Sequence, residues 1–431
     1  MPEAALAASS KLYRPKLATI LAEGYRLDDL RRDAMAGLTV AIVALPLSMA
    51  IAIASGVSPD RGLTTAIVGG FLVSALGGSR FQIGGPAGAF IVLVSATVAK
   101  FGIDGLVLAV LLSGMMLTLI GALRLGSLIR HIPHSVTVGF TAGIAITILA
   151  SQLKDLFGLH LAGPEPGPFF AKLTALAQAW TSASPAAFGL ALAVIVVTVA
   201  IRRVRPLWPS MLVAVAGASA IAVALHLPVE TIGSRFGGIP HGLPTPHLPA
   251  ITQARVLAIL PSALSFTLLG GIESLLSAVV ADAMTGRRHR SNMELLAQGV
   301  ANMASALFGG ISVTGTIART ATNVRAGARS PISGMLHSVF LLAFMILAAP
   351  LASYVPVSAL AGVLVLVAWN MVERPAIKRL LGEWRAGAVM LTTLLLTVAR
   401  DLTTGILAGC LLAAALWGLG LWNSRLRRDG N

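Results

Sequence analysis

Two charged residues stand where charge is expensive. Glu273 lies deep within the apolar run PSALSFTLLGGIESLLSAVVADAM, and Arg319 sits in a helix-like piece too short to cross a bilayer. Between them come a basic hairpin (Arg287, Arg288, His289, Arg290), an apolar run ending in Gly309-Gly310, and a Gly/Thr-rich segment. Ionisable residues inside a membrane mark ion or substrate paths. Broken helices survive at that depth only where they line a cavity or are buried in protein. Glu273 is therefore a candidate proton-coupling residue, and Arg319 a fixed positive charge for an anion. The plainer readings are a neutral, hydrogen-bonded acid that locks helices together, and an arginine held in a structural ion pair or snorkelling to the inner side.

A second short segment starts at Ala87-Gly88, and the first at Gly315-Thr316. The first turn of a helix carries unpaired N–H groups and about half a positive charge. Two such ends facing each other near the midplane make an anion seat from backbone alone. That seat favours chloride, oxoanions or carboxylates over cations. Asp282 and Glu294, near the inner ends of their spans, read as solvated or capping acids. His337 reads as a satisfied packing residue. His241 and His247 lack acidic or Cys partners, so no metal site is expected, and the lone Cys410 forms no intramolecular disulfide.

The elements that must position these residues follow from composition. The 431-residue chain is 56% hydrophobic and 11% charged, with mean hydropathy +0.85. Soluble domains carry about 25% charged residues, so this is a polytopic, all-α membrane protein. Apolar spans fall near 36–56, 62–77, 87–100, 104–123, 133–152, 186–201 and 207–226. A second set falls near 257–282, 294–309, 315–326, 331–350, 357–372, 386–399 and 402–422. The third and tenth are too short for a hydrocarbon core of about 30 Å. With the N-terminus inside and fourteen crossings, only seven of the 32 Lys and Arg lie outside: Arg61, Lys100, Lys154, Lys172, Arg235, Arg255 and Arg400. The positive-inside rule thus accounts for the net charge of +15 without nucleic acid.

Seven spans per half require the halves to enter the membrane inverted. Ser74-Ala75-Leu76-Gly77-Gly78 and Ser305-Ala306-Leu307-Phe308-Gly309-Gly310 close corresponding spans, each followed by an extended stretch, a Gly-containing turn and a half-helix. The expected organisation is a cytosolic segment 1–33, a transmembrane domain 34–423 (repeat one about 34–228, repeat two about 255–423) and a basic tail 424–431, with both termini cytoplasmic in the plasma (inner) membrane. The connectors 153–185 and 227–256 read as external and Pro/Gly-rich. No nucleophile–base set or metal spacing appears, so neither an enzyme nor a cofactor is expected.

DAMAGLTVAIVALPL (33–47), QIGGPA (82–87), PHSVTVGFTAGIAITILASQLKDLFG (133–158) and the stretch from Glu273 to Pro331, with NMELLAQGVAN and RTATNVRAGARSP, resemble the sulfate permease (SulP) family, especially its bicarbonate-transporting branch. The resemblance implies a seven-plus-seven inverted repeat like that of uracil permeases, with a mobile core, a dimerising gate domain and substrate between segments three and ten. It places Leu47, Ala87, Gly88, Thr316, Ile317, Ala318 and Arg319 at the substrate and Glu273 at the coupling site. Many relatives carry Gln at Leu47, an aromatic at Ala87 and Ser at Ala318, so this pocket is less polar and relies on backbone N–H groups. Sodium-coupled bicarbonate relatives have Asp at the position of Glu273, with a hydroxyl near Ser277. Family members usually continue into a cytosolic STAS domain, which is absent from this sequence. The expectation is a homodimeric anion:proton symporter for a small carboxylate or bicarbonate-like anion, set in membrane lipid. The alternatives are a sodium-coupled bicarbonate symporter, an anion channel or exchanger on the same fold, and a nucleobase permease, which would need polar base-reading side chains.

Overall fold

In lipid every backbone polar group must find an internal partner, so apolar sequence of this length folds as helices. The computed structural model describes residues 13–127, 133–163, 165–205 and 208–429. Lys11 and Arg130, both assigned to the inner face from sequence, lie outside the described residues. In chain order the helices are α1 (Lys16–Glu23), α2 (Leu27–Ala54), α3 (residues 59–76), α4 (Gly88–Ala122), α5 (His134–Phe157), α6 (Phe169–Gln178), α7 (Pro185–Val204), α8 (Ser210–Ala224) and α9 (Ile232–Phe236). Then follow α10 (Gln253–Thr285), α11 (Ser291–Leu307), α12 (Ile317–Arg325), α13 (Ile332–Ala352), α14 (Val357–Met371), α15 (Arg374–Leu381), α16 (Trp384–Ala399) and α17 (Leu402–Asp429). Among the described residues seven helical stretches are individually long and apolar enough to cross a membrane: α2, α4, α5, α7, α10, α13 and 357–381, which joins α14 to α15.

α4 and α3 depart from a regular α-helix. α4 begins as a 3₁₀ turn over Gly88–Phe90 and is interrupted at Gly102, whose φ of 69° is open to glycine and closed to most other residues. The break falls between the two apolar spans read from sequence at 87–100 and 104–123. α3 contains a π-turn over Thr65–Gly69. There the Thr65 hydroxyl is free to accept the N–H of Ile311 at 2.7 Å, tying α3 to a distant extended segment.

Two strands of two residues each, β1 (Gly84–Gly85) and β2 (Thr314–Gly315), pair antiparallel with Gly84 opposite Gly315 and Gly85 opposite Thr314. They bring together the two segments that lead into α4 and α12. Side chains from neighbouring helices satisfy this non-helical backbone. Asn302 of α11 accepts from Val313 N–H (3.0 Å) and Ser312 Oγ (3.0 Å), and donates to the Val313 carbonyl (2.8 Å). Ser277 of α10 donates to Thr320 Oγ1 (2.9 Å), which also accepts Ile83 N–H (3.1 Å). Asn323 of α12 donates to the Phe81 carbonyl and to Ser333 of α13, both at 2.9 Å.

Several boundaries differ from the expected ones. α2 begins at Leu27, because Asp29 caps the Arg26 N–H, so the expected boundary at residue 33 falls inside a helix. Asp33 is fully buried there: it accepts Arg329 N–H (2.6 Å), Ser330 N–H (3.1 Å), Ser330 Oγ (2.5 Å) and Tyr25 OH (2.8 Å). The first long connector contains α6 and the second the short α9, started by a Thr231/Ser234 capping box. The four prolines from 240 to 249 leave the rest of that connector without helix. α17 runs unbroken past residue 423.

Candidate functional site

α12 starts where β2 ends. Thr316 gives its N–H to the Ile83 carbonyl (3.0 Å), and the next N–H to find a partner is that of Thr320, bonded to Thr316. The amides of Ile317, Ala318 and Arg319 therefore have no acceptor among the described residues. Across the strand pair Phe90 N–H bonds to the Ala87 carbonyl, while the amides of Gly88 and Ala89 are likewise unclaimed. Two helix starts with free donors thus lie at the two ends of one antiparallel strand pair. Ile317 and Ala318 are exposed, whereas Thr316, Ala87 and Leu47 are buried.

Arg319 is 2% exposed and forms no ion pair among the described residues. Its Nη2 donates to Ser48 Oγ (3.0 Å) and the Pro86 carbonyl (3.4 Å), while Nε and Nη1 have no partner among the described residues. That removes the structural ion-pair reading. A buried guanidinium with open donors, and helix-start amides without acceptors, have the chemistry to receive an anion. Ser48 can hold it because its own hydroxyl proton goes to the Ala44 carbonyl (2.7 Å), leaving a lone pair for Arg319. Opposite Gly88 the wall is apolar: a methyl group there would meet Ile148 of α5 at 3.5 Å, and Met371 and Val367 of α14 at 3.8 and 3.9 Å.

Glu273 lies on α10, one residue before Ser274 and one turn before Ser277, the two serines that hold the strand pair. It is partly exposed and makes no hydrogen bond or ion pair among the described residues. The helix-locking reading therefore finds no bond to support it. Glu294 is fully buried rather than solvated. It caps no helix and instead braces the turn after α3, accepting Gly78 N–H (2.8 Å), Ser79 N–H (3.0 Å) and the Gln298 amide (3.2 Å). Asp282 accepts from the backbone and ring of His289. His337 corrects an expectation: it is fully buried, but neither ring nitrogen has a partner among the described residues.

Sequence reasoning missed Ser48, Gln82 and Gly85. Gln82 is buried, donates to Ser274 Oγ (3.4 Å), has no partner for its Oε1 among the described residues, and fills the space a side chain at Gly315 would need. Its place in QIGGPA, just before the strand pair, was the available signal.

Broken helices crossing through a short strand pair, free helix-start amides and a buried unpaired arginine define a helical membrane transporter. The chain belongs to the sulfate permease family, whose model matches residues 30–394. It is 42% identical over 393 residues to the putative sulfate transporter YvdB of Bacillus subtilis, covering 91% of this chain and 74% of that protein. It is 32% identical over 403 residues to the bicarbonate transporter BicA of Picosynechococcus, covering 90% and 70%. The transmembrane domain of a cyanobacterial bicarbonate transporter BicA superposes with a TM-score of 0.80 at 30% identity, covering 88% of this chain and 98% of that one. SLC26A9 shares the fold, with a TM-score of 0.86 at 18% identity over 96% of this chain and 69% of that one. The protein is a multi-pass membrane anion transporter of this family and not an enzyme.

Proposed function

We propose that the chain carries a small carboxylate or bicarbonate-like anion by alternating access, with a proton as the coupling ion bound at Glu273. The observation that carries this reading is Arg319, buried with two open nitrogens beside the unclaimed amides of Gly88, Ala89, Ile317 and Ala318. Leu47, Ala87 and Thr316 complete the substrate site in this reading. Its apolar wall of Ile148, Val367 and Met371 suits an anion with a small apolar part. Glu273, partly exposed and unbonded, is available to take up and release a proton. The fourteen-crossing inverted repeat, with a mobile core, a dimerising gate and both termini at the cytoplasmic face of the inner membrane, belongs to the same proposal. The pairing of β1 with β2 and the distribution of basic residues support it.

A sodium-coupled bicarbonate symporter is the second reading, favoured by the Ser277–Thr320 hydroxyl pair one turn from Glu273. Uptake of an anion panel into proteoliposomes at two pH values, with and without sodium, separates the two. Uphill uptake driven by an inward proton gradient without sodium supports the first. Sodium-dependent uptake at constant pH supports the second, and conductance far above carrier turnover would place the chain among channels.

A further inference from the structure

Away from the crossing of broken helices, a cleft of about 470 Å³ opens between α7 and α14. α7 contributes Ile195, Val199, Arg202 and Arg203, spaced so that they share one helix face. α14 contributes Val365, Leu366, Trp369 and Asn370, again from one face. Both faces change character along the same direction, from branched aliphatic side chains to polar and cationic ones. Eight residues of helix span about 12 Å, so the aliphatic part extends into the leaflet while the cationic end stands at its edge.

The cationic end is unneutralised. Arg202 donates its Nε to Ser210 Oγ (3.3 Å), and neither Arg202 nor Arg203 forms an ion pair among the described residues. Both are exposed. Arg374 adds a third guanidinium, stacked 3.8 Å from the centre of the Trp369 ring, which is 57% exposed as an interfacial tryptophan would be. Snorkelling explains an arginine at a helix end. It does not explain a concave slot with an aliphatic floor that opens onto two guanidiniums, a carboxamide and an indole on which a third guanidinium stacks.

We propose that this cleft binds an anionic phospholipid of the leaflet facing the α7–α8 loop. One acyl chain lies along Ile195, Val199, Val365 and Leu366, and the phosphodiester meets Arg202, Arg203 and Asn370. Basic pockets between transmembrane helices on the cytoplasmic side recognise such headgroups. The site is independent of which anion is transported.

The test uses the full chain in mixed micelles, titrated with phosphatidylglycerol, phosphatidylcholine or soluble glycerophosphate and read by native mass spectrometry and thermal shift. The expected result is retention of phosphatidylglycerol but not of phosphatidylcholine, with no effect of glycerophosphate at matched concentration. Arg202→Gln/Arg203→Gln weakens that retention roughly thirtyfold, at the usual contribution of a basic residue facing an anionic surface. Arg203→Gln alone weakens it less and leaves the Arg202–Ser210 bond intact. Val199→Phe, which fills the slot without touching charge, also weakens it. Retention unchanged in the double variant, or weakened equally by Lys378→Gln/Arg379→Gln on α15, overturns the site. A matching glycerophosphate response overturns the lipid as ligand. Dissociation of a dimer by Val199→Phe would assign the face to a second copy of this chain.

Discussion

Gly85 and Arg319 occupy one space: a methyl group on Gly85 would lie 2.9 Å from the Arg319 Cζ and closer still to Nη1. The guanidinium lies against bare backbone of the opposite segment. Gly85→Ala should displace it and lower anion affinity about as much as Arg319→Gln, at least tenfold for the loss of a charge-assisted bond. Gly88→Ala should be tolerated, because its methyl group would make only ordinary contacts at 3.5 Å or more. Titration of purified variants with the transported anion checks the contrast. Equal losses at Gly85 and Gly88 would contradict it.

Gly315 stands in the same relation to Gln82, whose side chain occupies the place of the missing one. Gly315→Ala or Gly315→Val should expel Gln82, break its bond to Ser274 and abolish anion binding. If displacement is the cause, Gln82→Ala should partly restore the thermal stability of Gly315→Ala. A double-mutant cycle would then show strong non-additivity. An additive cycle would mean that Gly315 acts on its own backbone.

Two buried carboxylates brace the backbone that flanks the broken segments: Glu294 grips Gly78 and Ser79, and Asp33 grips Arg329 and Ser330. Glu294→Ala leaves two buried N–H donors unsatisfied, and each such group costs about 1–3 kcal/mol. We expect Glu294→Ala and Asp33→Ala each to destabilise by at least about 2 kcal/mol, measured by thermal unfolding in detergent. A loss near zero would show that water replaces the carboxylate.

Tyr25 supplies a pH dependence. Burial first, and then its hydrogen bond to Asp33, push the phenol well above its ordinary value of 10.0. The unfolded chain then loses this proton near pH 10 while the folded chain keeps it, so above that pH the native state binds more protons. Stability falls as pH rises through that window and is unaffected below it. Melting curves at pH 8 and about pH 10.5 should show a shallow alkaline loss that Tyr25→Phe reduces. An unchanged alkaline slope in Tyr25→Phe would refute the assignment.

Much of the scaffold was legible because it depends on local pattern. The sequence places the short segments at 87–100 and 315–326, and the helices start at Gly88 and Ile317. Hydropathy, Gly/Pro breaks and the position of Arg319 sufficed. What was not legible depends on contacts between distant parts of the chain. Gly85 must be glycine because of Arg319, and Asp33 is buried because the backbone at 329–330 needs an acceptor. Neither requirement has a local signature. His337 shows the reverse error: a histidine on a helix face reads as satisfied packing, yet only tertiary structure shows that its nitrogens lack partners.

Glu273 carries the prediction that decides the coupling. In the proposed site, a carboxylate and an anion about 5 Å apart, at an effective dielectric of about 20, would repel by roughly 3 kcal/mol. Anion binding therefore favours the protonated acid, and by linkage protonation tightens the anion by the same factor. A fixed charge such as Arg319 shifts the anion affinity and the Glu273 titration individually and leaves the sign of this coupling unchanged. Glu273→Gln mimics the neutral acid and cannot release a proton. It should keep anion binding, lose the pH dependence of that binding, and fail to concentrate anion under an inward proton gradient. Proteoliposome uptake without sodium measures this directly. Uphill uptake by Glu273→Gln at the wild-type level would exclude Glu273 as the proton site. Loss of binding altogether would make it part of the substrate seat instead.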